Sequence, residues 1–248
     1  TPSYMADVYV DWLELDLPAL ERHAPILLNW GETTRSPAEE GAARFFWGLD
    51  RYQLNLPDEA AEHLSHLLDA PTKYRPMELV HGAILLSLCG LAKGDVQEAQ
   101  RLGDFASLYA SDLVNSDFIP LTDAFQAELA LRAGNLGRAI AWASQFNAVP
   151  MAQPLMGYDP IVTLAKVLLA DGSDVALQRA DEVVTDYSGL AEMTHNTPAL
   201  VQSLGLQALV RAARDELEQA NELLHRAVRV AEPGGAVRVL ADLGSELV

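Results

Sequence analysis

Glu59, Glu62, His63 and His66 are the side chains whose types and spacing come nearest to a metal site. His63 and His66 stand three residues apart and would share one face of a helix. Zinc chemistry needs a third ligand, and no His-Glu-x-x-His spacing accompanies the pair, so a solvated helix face is the expectation and no metal is assigned. Cys89, the single cysteine, sits in the apolar run Leu85–Leu86–Ser87–Leu88–Cys89–Gly90–Leu91 and reads as a core residue, not a nucleophile. One cysteine cannot form a disulfide within the chain, which fits a reducing cytoplasm. No Gly-x-x-x-x-Gly-Lys-[Ser/Thr] phosphate loop and no Gly-x-Ser-x-Gly elbow occurs. Trp12, Trp30, Trp47 and Trp142 fall in helical apolar patterns that suit packing. No catalytic residue and no cofactor is assigned, and the chain is expected not to be an enzyme.

Charge narrows the partners. With 35 acidic against 17 basic side chains the net charge is −18, and such a surface repels nucleic-acid phosphates and anionic membranes. Direct contact with nucleic acid or membrane is therefore not expected. The longest apolar run, near Gly82 to Ala92, is too short to span a bilayer, and the acidic stretch Tyr4 to Asp16 does not resemble a signal peptide. Thr1 in place of Met hints at a piece of a longer protein.

The elements that would position any binding group are helices. Strand alternation is nearly absent, whereas helical periodicity recurs with short polar breaks centred on Asn55, Gly94, Gly134, Gly172 and Asp215, spaced 39, 40, 38 and 43 residues apart. Seven residues before each break stands a small residue: Gly48, Ser87, Ala127, Ala165 and Ala208. Five residues after it stands Ala60, Ala99, Ala139 and Ala220, with Ala180 brought into line by an insertion around Ser173 to Val175. Antiparallel helices joined by a short turn approach closely only where facing side chains are small. The break residues are types that tolerate the left-handed conformation ending a helix.

These columns predict an all-α chain, a right-handed superhelix (α-solenoid) of about five tetratricopeptide-like helix pairs. The pairs run 37–54 with 57–69, 76–93 with 95–113, 118–133 with 135–147, 158–171 with 175–191, and 198–213 with 216–231. Helical stretches near 4–15 and 18–29 precede them. Ala236 to Leu247 is expected to form a last amphipathic helix that caps the exposed end of the stack. Ser36–Pro37–Ala38–Glu39 reads as an N-cap with a capping-box Glu. The whole of 1–248 reads as one repeat domain, with the Pro-containing stretch 148–158 a candidate hinge.

In stacked pairs the first helix of each repeat lines a concave groove. By analogy with tetratricopeptide repeats, the groove positions fall thirteen, ten, six, three and two residues before each break. The polar residues in those columns are Tyr52 and Gln53, His81, Glu128 and Arg132, Asp159 and Lys166, and Gln202. Among apolar neighbours they make a mixed wall suited to a small ligand or a peptide. Internal roles compete with this: Asp159 precedes Pro160 as an N-cap would, and Glu128 and Arg132 are spaced to pair with each other.

The last third carries a narrower pattern. Ala227, Ala231, Glu232, Pro233, Gly235, Arg238, Asp242 and Gly244 match A-x-x-L-A-E-P-x-G-x-x-R-x-F-x-D-x-G, with Val230 and Leu240 departing from it and Ala236 standing where an aromatic is usual. This resembles the end of the repeat domain in large ATP-binding LuxR-type (MalT-like) transcription regulators, closely over 158–248 and loosely over most of the chain. The resemblance implies an inducer-sensing repeat domain between an N-terminal ATPase and a C-terminal helix-turn-helix DNA-binding domain, all in one cytoplasmic protein. Its partners would be a small-molecule inducer or peptide and those two domains, with homo-oligomerisation left open. The alternative is a generic tetratricopeptide scaffold for protein–protein interaction.

Overall fold

The computed structural model describes residues 4–114, 117–147 and 157–244. The candidate hinge at 148–158 lies almost entirely outside them. Among the described residues there is no strand; helices follow one another as α1 (Tyr4–Leu13), α2 (Leu17–Thr34), α3 (Pro37–Gln53), α4 (Pro57–Asp69), α5 (Pro76–Ala92), α6 (Val96–Asp112), α7 (Ile119–Arg132), α8 (Leu136–Gln145), α9 (Pro160–Asp171), α10 (Asp174–Met193), α11 (Thr197–Ala213), α12 (Leu217–Ala231) and the single turn α13 (Arg238–Ala241). Each packs chiefly on its neighbours in sequence, as an all-α repeat array requires.

Local chemistry sets the boundaries. Side chains of Asp95, Asn135, Ser173 and Asn196 accept hydrogen bonds from the backbone N–H groups of Glu98, Arg138, Ala176 and Ala199 at helix starts. Ser36 takes the N-cap position of α3, but its hydroxyl makes no capping bond, contrary to the capping-box expectation. Every break residue is left-handed: φ is 61° at Asn55, 79° at Gly94, 76° at Gly134, 69° at Gly172 and 67° at Asp215. Leu15 joins them at φ 57°, 40 positions before Asn55. The α1–α2 hairpin is thus a sixth helix pair whose turn keeps step with the others, although Val8 and Leu20 stand where the other pairs carry a small residue and Ala.

The small columns are where the helices of a pair meet. A Cβ added at Gly48 would lie 2.5 Å from Leu64 Cγ. Ser87 donates a 2.6 Å hydrogen bond to the Ala99 carbonyl. Ala127, Ala165 and Ala208 are buried, as are Ala60, Ala99, Ala139, Ala180 and Ala220.

The ends of the array come together. One apolar cluster contains Val8 and Trp12 of α1, Val201 and Leu204 of α11, and Ala227, Ala231, Ala236 and Val239 beyond them. A Cβ on Gly234 would fall 2.1 Å from the Leu15 carbonyl oxygen, so only glycine lets the closing turn approach so closely. The long capping helix expected from Ala236 to Leu247 is absent from the described part. The α-helix ends at Ala241, and the segment runs back across the groove, where the Val237 N–H donates to the Gln53 carbonyl at 2.8 Å. Gly235, with φ 70°, makes that reversal.

Candidate functional site

The central groove columns converge on the C-terminal segment. Tyr52, fully buried at the end of α3, donates to Asp242 Oδ2 at 2.7 Å. Arg238 donates to the Tyr52 hydroxyl at 3.2 Å, lies 5.1 Å over its ring, and pairs with the Asp242 carboxylate. Burial, and then the Asp242 charge, push the Tyr52 hydroxyl well above its ordinary pKa, so it stays a donor. Neighbouring Gln53 is buried, and its main chain holds Val237 while its side-chain oxygen has no partner.

Across the groove, Glu128 of α7 is buried and serves two cations. Its Oε1 accepts from Arg132 Nε at 2.6 Å and from Lys166 Nζ, and its Oε2 accepts from Thr163 at 3.2 Å. Burial alone would raise the Glu128 pKa; Lys166 and Arg132 overcome that and hold it at about 2. Lys166 is shifted down, because burial and Arg132 outweigh the attraction of Glu128. Both cations also donate to the Asp242 carbonyl, Lys166 at 3.0 Å and Arg132 at 3.2 Å.

Beside this network lies a cavity of about 910 Å³. Its floor includes Arg132, Lys166, Leu169, Leu209 and Ala213, all in the columns six, three or two residues before a break; Leu224 of α12 and Ala241–Gly244 complete it. Of the eight polar groove residues expected from the offsets, Arg132 and Lys166 line this cavity. The offset rule did not foresee that the chain's own end would run along it.

The remaining predicted residues lie elsewhere. The Asp159 side chain caps α9 through the Ile161 N–H at 2.8 Å, and burial raises its pKa to about 6. The Tyr187 hydroxyl stands beside both Asp159 and Gln202 Oε1 (3.4 Å); its one proton can serve only one at a time. These residues pack with Trp12 where α1 meets the later repeats. His81 sits edge-on between Phe45 and Phe118, each at 6.4 Å. His63 stacks on Trp47 at 4.1 Å, and among the described residues no three His, Cys, Asp or Glu side chains gather as metal ligands.

The family model described as the MalT-like TPR region matches residues 51–248. The chain belongs to that family. No curated protein matches it in sequence. Within this MalT-like TPR region the closing pattern has a physical meaning: Gly235 reverses the chain, and Arg238 and Asp242, one helical turn apart, grip Tyr52. Arg238 and Asp242 are the groove residues that the repeat columns missed, since they lie beyond the last repeat. The family-like pattern was the signal that marked them.

Proposed function

We propose that this chain is the sensing repeat domain of a larger ATP-binding LuxR-type regulator, and that an inducer or peptide docks in the groove cavity. A volume of about 910 Å³ suits a small molecule or a few peptide residues. The observation that carries the proposal is the shared wall. Ala241–Gly244 bound the cavity, and the Asp242 carbonyl is held by the same Arg132 and Lys166 that line it. A ligand that engages these cations alters their hold on the C-terminal segment, and differential affinity for the two arrangements is what switching requires. In this account the segment reports occupancy to an ATPase and a DNA-binding domain of the full-length protein. The −18 charge favours leaving DNA contact to another domain. A cytoplasmic location follows from the same regulator role.

Thermal-shift screening of metabolites, oligosaccharides and short peptides tests this, because a ligand that prefers the native state raises the melting temperature. A hit weakened by Arg132→Ala supports the groove. Hits restricted to peptides that are indifferent to Arg132 favour the scaffold role instead.

A further inference from the structure

The charges around the cavity do not balance. Three cations (Arg132, Lys166 and Arg238) meet two carboxylates, Glu128 and Asp242. The Asp242 carboxylate is turned to Arg238 and Tyr52, so it offers Arg132 and Lys166 only its main-chain carbonyl. Among the described residues Glu128 is thus the carboxylate bonded to both cavity cations, with the Asp242 charge acting on them without a direct bond, and Asp242 is the one acid in the described lining. Counted over the described residues, the three cations and two carboxylates leave about one positive charge unmatched, and a shielded charge gains most from a partner. This excess stands out in a chain of net charge −18. Leu169, Leu209, Ala213 and Leu224 form an apolar stretch of the wall, while Asn221 and Asp242 are its other polar side chains.

We infer that the cavity binds a small amphipathic anion, with its oxyanion head on Arg132 and Lys166 and its apolar body along Leu169, Leu209 and Leu224. This rests on the groove being the ligand site and names the class of ligand. Guanidinium and ammonium donors both suit carboxylate and phosphate oxygens. The apolar wall rejects a bare inorganic ion, which gains nothing from it.

Calorimetric titration and thermal melting of the whole chain with hexanoate, hexyl phosphate, hexan-1-ol and inorganic phosphate test the inference. At least one of the two amphipathic anions is expected to bind about tenfold or more tighter than hexan-1-ol or inorganic phosphate, a difference of about 1.4 kcal/mol. Comparison of hexanoate with hexyl phosphate identifies the head group. Ala213 is exposed at the end of α11, so its replacement disturbs no core contact. Ala213→Glu places a carboxylate on the wall that Arg132 and Lys166 also line and should cost about tenfold or more in anion affinity, whereas Ala213→Gln, of matching size, should cost no more than about threefold. Equal binding of alcohol and anion, or equal losses in the two variants, overturns the anion inference and leaves the groove as a ligand site. Failure of every probe, together with no hit from metabolites, oligosaccharides or peptides, overturns both.

Discussion

Tyr52 donates a 2.7 Å hydrogen bond to the carboxylate of Asp242, 190 positions further along the chain. That bond ties the second helix pair to the segment beyond the sixth, inside the groove. Arg238 braces the hydroxyl from the other side, and Arg132 and Lys166 hold the Asp242 carbonyl. The closing segment is thus fastened to three separate repeats.

Tyr52→Phe keeps the buried ring and removes both the bond it donates to Asp242 and the one it accepts from Arg238. It should lower stability by about 1.5–3 kcal/mol in urea unfolding and speed hydrogen exchange of the Val237 amide more than amides of α5. Equal acceleration everywhere would mean that the bonds support the fold as a whole and not the segment.

Glu128→Gln leaves Lys166 and Arg132 without their shared carboxylate and should cost about 3–5 kcal/mol. Since the Glu128 pKa is held at about 2, below its ordinary 4.5, its stabilisation is present above pH 4.5 and fades as pH falls toward 2. Acid unfolding of the wild type, compared with that of the variant, measures the term.

Asp159 behaves oppositely. Its folded pKa is raised to about 6 from 3.8, so between these values the folded state binds more protons than the unfolded one. Stability from this group falls as pH rises through that window, by about 3 kcal/mol in total. Asp159→Asn preserves an N-cap oxygen and removes the titration, so melting temperature between pH 4 and 6 should lose much of its slope. Asp50, buried and likewise raised to about 6, and Asp11 and Asp123, both raised by burial, leave a residual slope of the same sign.

The breaks make a paired prediction. Gly134 has φ 76° and open space around a would-be Cβ, so Gly134→Ala should cost about 1–2 kcal/mol from backbone strain alone. Asp215, exposed at φ 67°, should gain about 0.5–1 kcal/mol as Asp215→Gly. Chemical denaturation of both variants reads the two signs.

Much of the array was legible because one physical demand repeats. Asn55, Gly94, Gly134, Gly172 and Asp215 share a left-handed turn, and the small residues before them share a close helix contact, so composition at fixed spacing exposed both. Leu15 makes the same turn without the usual residue type. Its side chain is buried and Gly234 presses on its carbonyl, so tertiary packing imposes the conformation. Periodicity carries no trace of such a contact. The groove columns came from analogy with other helix-pair repeats and not from composition, and of them Arg132, Lys166, Leu169 and Leu209 line one cavity. The path of Val237 to Gly244 was not legible, because a contact between Tyr52 and Asp242 depends on how far six helix pairs curve. Asp159 and Gln202 satisfied the groove offset, yet curvature brought them to the junction with Trp12.

Hydrogen exchange across residues 237–244, measured with and without a saturating cavity ligand, tests the coupling of groove to segment most directly. The account predicts that ligand binding changes exchange in this stretch more than in any other outside the cavity wall, and that Tyr52→Phe diminishes the contrast. A ligand whose affinity depends on Arg132 and Lys166 but which leaves exchange at 237–244 unaltered would contradict it.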